Sequence, residues 1–302
     1  MGSRRYVILD VFTQNSLTGN PLAVVLDSDG LNDQDMQAIA QEFNLSETVF
    51  VLPDTSGRKR AQLRIFTPGM ELPFAGHPTV GTAFLLASID QQGQPGSVAF
   101  GLDEKIGTIN CAVDVESAEK GFARFRLPQH AERWGEGRDI AACAWALGLE
   151  PKDIGFDRHE PSRYTAGVTY DFIPVVSVEA LSRIKINNEA FDKVFGDDGR
   201  GSIYAYSRDG SGTDRRFRAR MFTTGMGFSE DPATGSAVAA FTGALMQFEP
   251  MGDGKHNFAI GQGFEMGRPS ELALEMVLEN GAVSYSEIGG YAVVTARGEL
   301  VL

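Results

Sequence analysis

Apolar positions along the chain recur in two rhythms, and the same succession of rhythms comes round twice. Residues 6–12 and 22–26 form apolar runs of strand length. Met36, Ile39, Ala40 and Phe43 then fall at i, i+3, i+4 and i+7, the spacing of one buried helix face, behind the capping residues Asn32 and Asp33. Further strands are predicted at 48–52, 62–66, 97–102, 108–115 and 122–127. In the second half Ile140, Cys143, Ala144 and Leu147 repeat the helical spacing behind Asp139. Strands follow at 172–178, 202–207, 217–222, 259–261 and 271–278, and 281–302 reads as two more. Gly196-Asp197-Asp198-Gly199-Arg200-Gly201 and residues 208–214 carry turn composition.

The recurrence extends to short strings. Phe66-Thr67-Pro68-Gly69-Met70 returns as Phe222-Thr223-Thr224-Gly225-Met226, 156 residues later. Gly76-His77-Pro78-Thr79-Val80-Gly81-Thr82-Ala83 returns as Glu230-Asp231-Pro232-Ala233-Thr234-Gly235-Ser236-Ala237, 154 residues later. Two matched strings in order point to an internal duplication. The stretches after the second string, 80–87 and 237–246, are apolar nearly all round. Small residues such as Gly81, Ala83, Ala239 and Gly243 allow other backbone to approach them. A helix without a polar face must be buried on every side. Two such helices among many strands predict an α+β fold: two pseudo-symmetric domains, each a curled β-sheet wrapped around a central helix. The expected domains are 1–128 and 129–290, with the final strand 291–302 completing the first.

Length agrees, because 302 residues suit two domains of about 150 each. A formal charge of −13 argues against nucleic acid or an anionic membrane as partner. The two cysteines, Cys111 and Cys143, are too few for a disulfide framework and read as buried free thiols. No signal peptide opens the chain and no apolar stretch is long enough to span a bilayer, so a cytoplasmic protein is expected.

Candidate chemistry concentrates at the repeated strings. His77 precedes Pro78 and Asp231 precedes Pro232. Proline suits a first helical position, and Asp231 is a good cap. First-turn N–H groups and the positive end of the helix dipole can receive a carboxylate or enolate oxygen. Capped helix starts with no ligand are the plainer reading of the same residues. Glu47, between a helix and a strand, is not distinguished by composition from the other acidic residues. Arg215, Arg216, Arg218 and Arg220 alternate along a strand, which predicts a solvated face, with anion binding as the alternative. His130, His159 and His256 show no metal-ligand spacing.

Four strings together resemble the phenazine-biosynthesis PhzF family: Gly19-Asn20-Pro21, Asn44-Leu45-Ser46-Glu47, Gly76-His77-Pro78 with Gly81, and Asp231-Pro232-Ala233-Thr234-Gly235-Ser236. Their order and spacing match along nearly the whole chain, and Gly267-Arg268-Pro269-Ser270 also fits. The resemblance implies the diaminopimelate-epimerase-like fold with an active site in the cleft between two similar domains, and often a homodimer. It implies isomerisation of a small carboxylate substrate by proton shift, as for trans-2,3-dihydro-3-hydroxyanthranilate, without metal or organic cofactor. Glu47 matches the family's proton-transferring acid/base, and His77 and Asp231 match its other site residues. Ser46, Gly76, Gly235 and Ser236 resemble substrate-contacting positions. An amino-acid epimerase of the same superfold is the nearest alternative, but its paired cysteines are missing from these strings. A non-catalytic small-molecule binding protein is the other.

Overall fold

The computed structural model describes residues 3–54, 57–196, 201–210, 215–224 and 229–302, which divide into two compact units. Gly225 and Met226 of the second repeated string lie outside the described residues. So do 197–200 and 211–214 of the two expected turns.

The first unit comprises Met1–Pro128 and Glu287–Leu302. In order it holds β1 (Ser3–Val11), β2 (Asn20–Val25), α1 (Asp33–Phe43), β3 (Glu47–Leu52), β4 (Ala61–Phe66) and β5 (Glu71–Leu72). These are followed by α2 (Gly76–Asp90), β6 (Gly96–Glu104), β7 (Gly107–Val115) and β8 (Lys120–Arg126). The second unit, Gln129–Ser286, contains β9 (Glu132–Arg133), α3 (Ile140–Leu147), β10 (Ser162–Thr165), β11 (Thr169–Pro174), α4 (Val178–Ser182) and α5 (Asn188–Phe195). It continues with β12 (Ile203–Arg208), β13 (Arg216–Phe222), β14 (Glu230–Asp231), α6 (Gly235–Phe248), β15 (Gly254–Gln262) and β16 (Ser270–Glu279). The last strand, β17 (Ala282–Val301), belongs to the first unit from Glu287 onward.

In the first unit β1 pairs with β2, β2 runs parallel to β3, and β3 is antiparallel to β4. β4 runs parallel to β6, and β7, β8 and β17 follow antiparallel. Because β17 returns to pair with β1, the ring of strands closes. α2 fills it. Every residue from Gly76 to Ser88 is buried, and the helix packs on β1, β2, β3, β7 and β8. Its glycines and those of the strands set the approach. A Cβ on Gly81 would come within 2.7 Å of Leu22 and Val11, and one on Gly121 within 2.7 Å of the Phe84 ring. α1 uses its amphipathic face, placing Met36, Ile39 and Ala40 against Val25, Phe50 and Phe66. Asn32 caps it by accepting from the Asp35 N–H.

The second unit repeats the order: β10–β11 antiparallel, β11–β12 parallel, β12–β13 antiparallel, β13–β15 parallel and β15–β16 antiparallel. α6 packs on β9, β10, β11 and β16, with Phe241 touching the rings of Phe172, Tyr206 and Phe217. The α+β prediction of a sheet curled around a central helix therefore holds for the fold.

Two regions differ from the sequence reading. The expected strand 172–178 ends at Pro174, with one further bond from the Val175 N–H to the Tyr206 carbonyl at 2.7 Å. Ser177 then accepts from the Ala180 N–H and starts α4 at Val178. Within 281–302 the chain forms one strand, β17, not two. Gly289 lets β8 come close, since a Cβ there would sit 2.7 Å from the Arg124 Cβ, so the Gly-Gly step continues the ladder. Cys111 and Cys143 are buried free thiols in β7 and α3, and burial pushes the Cys143 thiol up to about 12. No helix among the described residues is long and apolar enough to cross a membrane.

Candidate active site

Glu47 is the first residue of β3, directly opposite Leu22 of β2, and Ser46 precedes it, half-buried. The Gly19-Asn20-Pro21 string shapes the start of β2. Gly19 takes φ +67, where a side chain would run into the Val11 carbonyl and Thr13, and Asn20 behind it is fully buried. This start of β2 presents the backbone of Pro21 to His77. His77 is the second residue of α2, and its side chain is 5% exposed against 13% for Glu47. Its Nε2 lies 3.4 Å from Glu47 Oε2. The imidazole also hydrogen-bonds the backbone of Pro21. Proline offers only a carbonyl there, so the ring donates, and with Nε2 turned to Glu47 the donor is Nδ1.

Burial lowers the His77 pKa from 6.5 to about 3, and the Pro21 bond opposes this only in part. At neutral pH the ring is therefore uncharged, with its one proton on Nδ1 and a lone pair at Nε2. Close contact at this distance is not an ion pair. It becomes favourable when a proton lies between the two atoms, and a neutral imidazole with Nδ1–H leaves Glu47 to supply it.

In the second unit Asp231 lies in β14, paired with Met221, and is 6% exposed. It is not a helix cap. Thr234 occupies the cap position of α6, and its hydroxyl donates to Asp231 Oδ2 at 2.5 Å. Gln262 donates to the Asp231 carbonyl at 2.8 Å and to Thr234 Oγ1 at 2.9 Å, while its Oε1 accepts from Tyr204 at 3.1 Å. Gly235 opens the helix, and Ser236 follows, 2.8 Å from the Tyr170 hydroxyl. Tyr204 and Gln262 were not singled out from sequence. Both are fully buried, and a glutamine ending a strand carries no local signal.

The two prolines also move. Pro78 is the third residue of α2, and Pro232 precedes α6 altogether. Strand pairing shows why, and it revises the repeat. Phe66 pairs with Glu71 in one unit and Phe222 with Glu230 in the other. Arg64 then binds Glu71 through two nitrogens, at 2.8 and 2.7 Å, and Arg220 binds Glu230 likewise, at 2.8 and 2.9 Å. Glu71-Leu72-Pro73-Phe74-Ala75-Gly76-His77 thus corresponds to Glu230-Asp231-Pro232-Ala233-Thr234-Gly235-Ser236, an offset of 159 residues. The string match at 154 aligned similar letters in the wrong register. In the corrected register His77 and Ser236 are equivalents, as are Leu72 and Asp231. Glu47, one residue before the Thr48–Phe66 pair, has Ser202 as its counterpart, one residue before Ile203–Phe222.

The arginine row is not a solvated face. Arg216 is exposed and pairs with Glu271, Arg218 is half-buried on Asp209, and Arg220 is 8% exposed on Glu230.

With this geometry in place, comparison with known proteins is decisive. The sequence model of the family described as phenazine biosynthesis-like protein matches residues 9–298. The chain belongs to the phenazine biosynthesis-like family. It is 45% identical to an uncharacterized isomerase of Mesorhizobium japonicum, over 100% of both chains. It is 34% identical to the trans-2,3-dihydro-3-hydroxyanthranilate isomerase of Pseudomonas fluorescens, over 98% of this chain and 99% of that one. The crystal structure of a Bacillus anthracis phenazine biosynthesis protein of the PhzF family superimposes with a TM-score of 0.87 at 25% identity, covering 100% of each chain. Membership in this family supports an isomerase.

Proposed function

We propose that this protein is a cofactor-independent isomerase that shifts a proton on a small carboxylate substrate, with Glu47 removing the proton and returning it. The observation that carries this reading is the 3.4 Å approach of His77 Nε2 to Glu47 Oε2, with both side chains largely buried. As a carboxylate, Glu47 takes a proton from a substrate C–H. As the resulting acid, it is held by a hydrogen bond to His77 Nε2 until it protonates a second carbon. A hydrogen bond to the neutral form of an acid favours that form, and His77 Nε2 is placed to accept one from Glu47. Glu47 at 13% exposure and His77 at 5% exclude most of the water that would otherwise exchange the captured proton.

Asp231 is proposed as the second acidic site residue, oriented by Thr234 and the Gln262 amide. Ser46, Gly76, Gly235 and Ser236 are proposed to contact the substrate. α2 and α6 both begin without a side-chain cap bond, so first-turn N–H groups remain available to a carboxylate. The substrate named for the Pseudomonas fluorescens relative, trans-2,3-dihydro-3-hydroxyanthranilate, belongs to the proposed class. Two-thiol epimerisation is disfavoured, because the equivalent helix-start positions hold His77 and Ser236, while Cys111 and Cys143 are buried in β7 and α3.

The test separates binding from turnover. Small carboxylates, trans-2,3-dihydro-3-hydroxyanthranilate among them, are first ranked by the thermal shift they produce. Glu47→Gln should keep the shift and lose turnover by at least the 10²–10⁴-fold typical of a general acid/base. Turnover within a few-fold of the parent would remove Glu47 from the chemistry.

A further inference from the structure

The corrected register brings one more pair of residues into correspondence. Gln62 of β4 lies opposite Asp103 of β6, and its equivalent, Arg218 of β13, lies opposite Gly261 of β15. One residue further along each strand, Glu104 therefore corresponds to Gln262. Gln262 holds the start of α6 through Thr234, the cap residue. The cap residue of α2 is Ala75, which has no side-chain bond to offer. We propose that Glu104 and Thr79 are positioning residues for the isomerase centre, holding the first turn of α2, and with it His77, through one chain of hydrogen bonds. This inference rests on the proposed role of the Glu47–His77 pair.

Thr79 Oγ1 lies 2.7 Å from the Ala75 carbonyl and 2.7 Å from Glu104 Oε1. A hydroxyl has one hydrogen, and a carbonyl has none. With the Thr79 hydrogen committed to the Ala75 carbonyl, the second contact is a full two-centre hydrogen bond when Glu104, as an acid, donates to Thr79. Glu104 then acts as an acid, in the manner of the neutral amide at the equivalent position. Its other oxygen points the same way. Oε2 is buried without a hydrogen-bond partner among the described residues, a setting that strongly penalises a carboxylate and suits a carboxylic acid. Burial, opposed in part by the Thr79 contact and aided by Asp103, raises the Glu104 pKa from 4.5 to about 8. The chain ends on Ala75, two residues before His77, so the position of the imidazole depends on it. Thr79 adds its own N–H to the same carbonyl at 3.3 Å.

The test reads His77 directly, in the protein without ligand. Ring-nitrogen NMR identifies its signals against His77→Asn and reports which nitrogen carries the proton. The parent should show the single Nδ1–H form. Glu104→Gln, which can still donate to Thr79, should keep it. Glu104→Leu and Thr79→Val should lose it, giving mixed tautomers or a moved signal, while Thr79→Ser should restore it. Val113→Ala, which loosens the buried face of β7, should leave the His77 signals in place. Unchanged His77 signals in both Glu104→Leu and Thr79→Val would overturn the proposal, as would loss of the signature in Glu104→Gln. If Glu104→Leu does not fold, the Thr79 variants decide alone. The readout needs no turnover, so failure here is distinct from failure of the Glu47 assignment.

Discussion

Glu104→Gln should change how the stability of the protein depends on pH, and the sign is fixed by the structure. Folding moves the Glu104 pKa from 4.5 to about 8, with 5% of the residue exposed. Between those values the folded state holds a proton that the unfolded state has released. A group raised on folding stabilises fully below its unfolded pKa, and its contribution fades as pH climbs to its folded pKa. One proton of difference is worth about 1.4 kcal/mol per pH unit. Across the window from 4.5 to about 8 the loss reaches on the order of 4–5 kcal/mol. Glutamine does not titrate, so the variant lacks this slope. The assay is urea unfolding of parent and variant at pH 5, 6.5, 8 and 9, compared as a difference between the two proteins at each pH. That difference should move against the parent from pH 5 to 8 and level off above. A difference independent of pH, or one that favours the parent as pH rises, would refute the buried-acid reading of Glu104.

Other consequences can be checked on the same samples. His77 acts in the opposite sense: folding lowers its pKa from 6.5 to about 3, so the parent should lose stability relative to His77→Asn as pH falls through that window. Arg220→Ala leaves Glu230, 16% exposed, without its two-point partner and should cost about 3–5 kcal/mol. Arg64→Ala should cost less than half of that, because Lys105 stays 2.5 Å from Glu71; equal losses in urea unfolding would contradict the comparison. Gly81→Ala puts a methyl 2.7 Å from Leu22 and Val11 inside the closed ring and should cost about 1–3 kcal/mol, although alanine is the better helix former. Gly252→Ala, with nothing within 4 Å, should be neutral. A Gly81→Ala protein as stable as the parent would mean that α2 is less tightly wrapped than described.

The sequence carried the fold wherever a local rule was strong. α2 and α6 were legible because neither has a polar face, and a helix of that kind has only one environment open to it. α1 and α3 were legible from caps and spacing, with Asn32 and Asp139 both accepting from a first-turn N–H. The short helices α4 and α5 were not, since Val175-Val176-Ser177-Val178 reads as strand until Ser177 turns the chain. The duplication was visible, but its register was not. Letters alone set Gly76-His77-Pro78, not Glu71-Leu72-Pro73, against Glu230-Asp231-Pro232, whereas the Arg–Glu pairs that fix the register lie on strands that meet only after folding. The site followed the same division. Glu47 and His77, 30 residues apart, are brought together in the sequence only by the family resemblance, and nothing in their spacing puts them 3.4 Å apart. Glu104 and Gln262 carry no local sequence signal, because their importance comes from burial and from the helix starts they hold.

The central claim is that one carboxylate, Glu47, carries the proton. The most direct measurement is deuterium incorporation by NMR when a bound carboxylate is incubated in D₂O with the parent, Glu47→Gln and Asp231→Asn. Exchange should occur at a carbon of the ligand with the parent and vanish in Glu47→Gln with fold and binding intact. Exchange that persists in Glu47→Gln, or a ligand that binds the parent tightly and never exchanges, would contradict it.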